Sequence, residues 1–211
     1  MMPLKPVSYA VLGQLAFRPW SAYELIKEMK RNFHYFYPRA ESGLYEELKK
    51  LEEAGLTISK VKTKGKKERK VYTITRAGKK ALKEWLTTDP EQYWLEFDGL
   101  LRVFLSRFGT KGILRKTLSK VSSDTDILIS LAEKVGNEYL SDNAPAQKEI
   151  EQRAIVFDFL LHYGIMFKEW LIRTEKYLNE TENISPNQSA VKAKSVIRNN
   201  MNQFGLKVGT Y

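Results

Sequence analysis

Residues 60–76 read KVKTKGKKERKVYTITR. Seven basic side chains crowd into residues 60–70, namely Lys60, Lys62, Lys64, Lys66, Lys67, Arg69 and Lys70, against the single acid Glu68. Side chains alternate along a strand, so Lys60, Lys62 and Lys64 share one face. Gly65 supplies the turn, and Val71-Tyr72-Thr73-Ile74 has the β-branched and aromatic make-up of a return strand. The stretch is therefore expected to be a β-hairpin with a strongly positive tip.

Upstream, the apolar residues of Val7–Phe17 recur at helical spacing through Val7, Val11, Leu12 and Leu15. Arg18-Pro19-Trp20 breaks that helix. Ser21 followed by Glu24 is a capping-box pattern that opens a second helix, Ala22–Asn32, with Leu25, Ile26 and Met29 inward. A third is expected over Ala40–Ala54, with Leu44, Leu48 and Leu51 on one stripe and Gly55 as its C-terminal cap. After the hairpin, Thr75 caps a fourth helix, Arg76–Leu86. Three short helices followed by a hairpin is the order of a winged helix-turn-helix, whose third helix enters the major groove.

Beyond Asp89-Pro90 the chain reads as helical throughout. Tyr93–Phe108 is dense in large apolar residues, Ile113–Val121 and Asp126–Leu140 read as separate helices, and Ala146–Leu178 as the longest. The apolar centre of that helix calls for cover on more than one side, which a partner subunit can supply. Residues 181–211 form a polar tail with room for one amphipathic helix through Ala190, Ala193, Ile197, Met201 and Phe204. The expected fold is thus mainly α with a small β-hairpin. It divides into a winged helix-turn-helix over residues 1–88, an all-helical dimerisation or effector domain over 89–180, and the tail.

Charge follows the same division. The net charge is +10. Residues 1–86 hold 19 Lys and Arg against 9 Asp and Glu, whereas residues 87–211 hold 16 of each. A surplus confined to one domain marks a polyanion-binding surface. There is no cysteine, which excludes disulfides and thiolate metal sites. No stretch approaches the roughly 18 apolar residues of a membrane span, and the first residues show no leader pattern, so a cytoplasmic protein is expected. His34 and His162 sit in different domains among apolar neighbours and read as structural. No nucleotide-binding, metalloprotease or nucleophile-elbow motif occurs, so neither catalysis nor a cofactor or metal is expected.

Three segments carry a resemblance. VLGQLAFRPWSAYELIKEMK (residues 11–30) resembles the opening of PadR-family transcriptional regulators, with Ala22-Tyr23-Glu24-Leu25 at the start of the second helix. YPRAESGLYEELKKLEEAGL (37–56) resembles the family's recognition helix, and GKKERKVYTITRAGKKALKEWL (65–86) its wing and fourth helix. EFDGLLRVFLSRFG (96–109) and LLHYGIMFKEWLIRTEKYL (160–178) are similar to the C-terminal domain of the virulence-activator relatives. Two departures stand out. Trp20-Ser21-Ala22 replaces the family's common turn, and Glu46 follows Tyr45 where many relatives have Pro.

The resemblance implies control of transcription, usually repression, by a homodimer on a palindromic double-stranded operator. It also implies release by a small aromatic or lipophilic effector. Lys64, Lys66, Lys67, Arg69 and Lys70 become the wing's candidates for DNA contact, and Tyr23, Arg39, Ser42, Tyr45 and Lys49 those of the second and third helices. Trp94 and Phe97 are the candidates for stacking on a ligand. Blander readings stand beside these. Tyr23 and Tyr45 also suit packing, the aromatics of 93–108 suit a core or a dimer interface, and Trp85 and Trp170 read as packing residues. Glu41, Glu46, Glu47, Glu52 and Glu53 keep open a protein-interaction scaffold that does not bind DNA specifically.

Overall fold

The structure is a computed structural model that describes residues 4–38, 43–64, 67–141 and 149–207, the side chains of Lys64 and Lys67 excepted. The chain forms two compact units, Met1–Leu95 and Glu96–Tyr211. It is mainly helical, with one small antiparallel sheet in the first unit.

The first unit begins with α1 (Pro6–Phe17), β1 (Trp20–Ser21) and α2 (Ala22–Phe33). Ser21 and Glu24 make the expected capping box: the Ser21 hydroxyl accepts from the Glu24 N–H, and Glu24 Oε2 accepts from the Ser21 N–H at 3.1 Å. The third helix, α3, runs Leu44–Glu53. It starts four residues later than the sequence led us to expect, because Gly43 at its N-cap is left-handed, with φ +69°. Its other end closes as predicted. Gly55 takes φ +70°, Leu56 N–H donates back to Leu51 O at 2.9 Å, and Gly55 N–H donates to Glu52 O at 3.0 Å. These two bonds are the Schellman pattern.

The hairpin forms as β2 (Thr57–Lys64) and β3 (Lys67–Ile74), paired Thr57 to Ile74 through Lys64 to Lys67. It is not two-stranded alone: β1 adds to the free edge of β3, with Trp20 opposite Tyr72 and Ser21 opposite Val71, giving the order β1-β3-β2. Thr75 caps α4 (Arg76–Trp85), its hydroxyl accepting from Gly78 N–H at 3.0 Å. Leu12, Leu15, Leu25, Met29, Leu44, Leu48 and Leu51 fill one core with Trp20, Tyr72 and Ile74.

In the second unit, residues 89–97 just before and into it hold no regular structure, contrary to the all-helical expectation; the first helix there is α5 (Asp98–Leu105). The two helices expected over 113–140 are one, α6 (Lys111–Leu140). Thr125, where the second of those helices is expected to start, donates from its hydroxyl to Val121 O at 2.8 Å, a back-bond inside the helix. α7 (Ile150–Glu180) runs antiparallel to α6 and closes on it at Gly164, where a Cβ would meet Ile129 at 3.2 Å. Arg115 ties the start of α6 to the end of α7 through Glu175, Asn179 and Glu182. α8 (Pro186–Gln203) follows, capped by Ser185 and Gln188.

Candidate nucleic-acid interface

Register decides what the hairpin shows. Residues opposite one another in an antiparallel ladder share a face. Thr57, Ser59, Tyr72 and Ile74 therefore look inward, and Thr57, Tyr72 and Ile74 are buried. Ile58, Lys60, Lys62, Arg69, Val71 and Thr73 occupy the other face. Lys60, Lys62 and Arg69 are exposed there, with Lys62 directly opposite Arg69. Lys60 and Lys62 were not singled out as contacts by sequence. Their signal was the same alternation that marks the strand.

The basic candidates separate by face. Arg69 lies 3.9 Å from Glu24, at the start of α2. Lys70 is on the inner face, 2.7 Å from Glu52 of α3 and with its ammonium 5.2 Å from the Tyr72 ring centre. The Lys70 and Ser59 hydrogen bonds hold the Glu52 carboxyl below the usual carboxylate range, and Glu52 in turn raises Lys70. Glu24 is likewise lowered, first by its hydrogen bond from the Ser21 hydroxyl and then by the Ser21 N–H, with smaller help from Arg69. Lys64 and Lys67 pair at the end of the ladder. Arg39, Ser42 and Lys66 lie outside the described residues.

On α2 and α3 the two tyrosines face solvent: Tyr23 is 73% exposed and Tyr45 63%. Lys49 is also exposed, 3.8 Å from Glu53 one turn on. The opposite side of α3 holds a feature that sequence reasoning missed. Glu47 is 9% exposed and accepts a short hydrogen bond from the hydroxyl of Ser8, itself 1% exposed, on α1. Two of the five acids that favoured a scaffold thus have internal partners, Glu47 with Ser8 and Glu52 with Ser59 and Lys70. Only Glu46 and Glu53 remain as exposed acids on the described part of α3.

The ligand candidates part company. Trp94, 73% exposed, belongs to the first unit. Phe97 belongs to the second, where it packs edge-on against Phe167 at 5.1 Å and near Trp170. Trp85 stacks on Tyr9 at 4.7 Å, the packing role expected of it. Among the described residues no group of His, Cys, Asp and Glu is arranged to hold a metal, and no helix is long and apolar enough to cross a membrane.

Comparison with known proteins places this geometry. Residues 11–84 match the Transcriptional regulator PadR-like family. Across 84 residues the chain is 34% identical to the negative transcriptional regulator PadR of Bacillus subtilis strain 168, covering 39% of this chain. The chain thereby spans about half of that relative, 46% of its length. A crystal structure of Bacillus subtilis PadR in complex with operator DNA superposes with a TM-score of 0.68 at 22% identity, over 81% of this chain and 97% of that one. The same protein in complex with p-coumaric acid gives 0.60 at 20% identity, over 82% and 96%. The Vibrio cholerae virulence activator AphA gives 0.63 at 21% identity, over 82% and 98%. These likenesses span about four fifths of the chain and show its fold. With its capped α2, its exposed α3 and the basic wing between α3 and α4, the segment over residues 11–84 is similar to the PadR-like family of transcriptional regulators.

Proposed function

We propose that the chain is a repressor that binds a palindromic DNA operator as a homodimer and is released by a small aromatic or lipophilic effector. The observation that carries DNA binding is the outer face of the hairpin, where Lys60, Lys62 and Arg69 stand exposed on one side of a two-stranded ribbon. Lys and Arg on phosphates supply sequence-independent affinity, and side chains of a helix in the major groove supply discrimination. Tyr23, Tyr45, Lys49 and the unassigned Arg39 and Ser42 are the groups proposed to work beside the wing. Lys64 and Lys67, which pair at the end of the ladder, and Lys66, outside the described residues, are proposed to add to the phosphate contacts. Lys70 is proposed to hold the wing on α3 rather than to touch DNA, since Glu52 already engages it.

Dimerisation rests on α7. Only Gly164 is buried among its described residues, while Ile155, Val156, Phe159, Met166 and Ile172 are exposed. Large apolar side chains exposed in this number along one helix mark an interface rather than a solvent face. Two-fold symmetry then sets the two wings on half-sites about one helical turn, or a multiple, apart. Occupying an operator excludes polymerase, which is repression, and the work of such a protein lies in the cytoplasm with the DNA.

A mobility-shift titration on the chain's own promoter at low salt, together with light scattering, tests this reading. A retarded band and a mass twice the 24.5 kDa chain are expected. A monomer with no retarded band refutes it and leaves the scaffold reading.

A further inference from the structure

The first unit holds a cleft of about 550 Å³ that neither the DNA-binding face nor the dimer surface uses. Ala10 of α1 lines one side. Phe33 and Phe36, at the end of α2, form one wall as an edge-to-face pair 5.8 Å apart. Trp85, near the end of α4, forms another and is held by its stack on Tyr9. The aromatic surface is thus fixed by packing before any ligand arrives. Asp89 and Glu91, from the segment after α4, stand at the same cleft, and no Lys, Arg or His lines it among the described residues. Neither carboxylate has an ion-pair partner among the described residues.

Aromatic walls with acids and no base are the surroundings in which a cation gains twice, from the negative ring faces and from the carboxylates. We infer that this cleft binds a lipophilic cation, an aromatic or alkyl body carrying an amine or quaternary ammonium group. The volume suits a drug-sized molecule. The inference deepens the effector part of the function proposed above, and it is tested without DNA so that the two succeed or fail separately.

The test is calorimetric titration of the full-length protein with phenylbutylamine, phenylbutanol and phenylbutyrate, one apolar body with a positive, neutral or negative end. The amine is expected to bind about ten-fold more tightly than the alcohol, and the alcohol about ten-fold more tightly than the butyrate, since two solvent-screened carboxylates attract the one charge and repel the other by a factor of about three each. Asp89→Asn with Glu91→Gln, both exposed and without an ion-pair partner among the described residues, should remove that order and leave the alcohol unchanged. Phe36→Ala should weaken all three together. Butyrate binding as well as the amine, an order that survives Asp89→Asn with Glu91→Gln, or no saturable binding of any of the three would overturn the inference.

Discussion

Replacing Ser8 by Ala should loosen α3 without touching its exposed face. The Ser8 hydroxyl donates to Glu47 Oε1 across the α1–α3 contact, and both residues are buried. The hydroxyl also accepts from Lys5 N–H at 3.1 Å, which is the smaller loss because that end is partly exposed. A hydrogen bond to a charged group contributes about 1.5–3 kcal/mol, and its removal strands a carboxylate in the core. Ser8→Ala is therefore expected to cost about 2 kcal/mol. With a urea slope of about 2 kcal/mol/M for a unit this size, the midpoint falls by about 1 M. Tryptophan fluorescence reports it, since Trp20 packs in the same core and its indole N–H donates to Gln14 O at 3.0 Å. The decisive partner is Ser8→Ala with Glu47→Leu. Removing both polar groups restores an apolar contact, so the double variant should return to within about 1 kcal/mol of the parent. If Ser8→Ala costs nothing, or the double variant is as unstable as the single one, the buried pair does not hold α3. DNA affinity should follow the same pattern, because Tyr45 and Lys49 project from the outer side of the helix whose buried side Glu47 anchors.

Gly78→Ala should destabilise the first unit by about 2 kcal/mol despite the better helix propensity of Ala, because its Cβ would lie 2.2 Å from Leu56 O and 2.8 Å from Ile74. Thermal unfolding measures it, and an unchanged or raised midpoint refutes the close approach of α4 to the end of α3. The Lys70–Glu52 contact predicts a pH signature. A carboxyl whose folded pKa is lowered contributes stability that is complete above its ordinary pKa and is lost as pH falls through the folded value. The stability difference between the parent and Lys70→Met should be flat above about pH 5 and shrink below it; a difference that grows on acidification contradicts the contact. Ile155→Glu with Phe159→Glu should halve the mass seen by light scattering while leaving the unfolding of the first unit in place. A dimer that survives both changes removes α7 from the interface.

Local signals were legible, and distant ones were not. Ser21, Gly55 and Thr75 each announce a helix end by chemistry confined to a few residues, and all three behave as their neighbours dictate. The alternation of Lys60 and Lys62 marked the hairpin for the same reason. β1 escaped notice because two residues carry no periodicity; its existence depends on Tyr72 and Val71, some fifty positions away, in the register observed. The run Ser122-Ser123-Asp124-Thr125 resembles a helix start, yet a hydroxyl that caps one helix can back-bond inside another, and α6 continues through it. Residues 93–97 are apolar enough for a helix, but composition without a helical stripe does not specify one. Glu47 reads on paper as one more surface acid, since its partner Ser8 lies 39 residues upstream. The cleft is invisible for a similar reason: its walls come from the ends of α2 and α4 and from the face of α1 between them.

The central claim is that the outer face of the wing carries the phosphate contacts. Operator affinity measured across a series of salt concentrations tests it most directly, because each phosphate contact adds about 0.9 to the slope of log affinity against log salt. Lys60→Ala with Lys62→Ala should lower that slope by about 1.8, whereas Lys70→Ala on the inner face should leave it unchanged. A parent slope near zero, or a slope that responds to Lys70 and not to Lys60 and Lys62, would contradict the account.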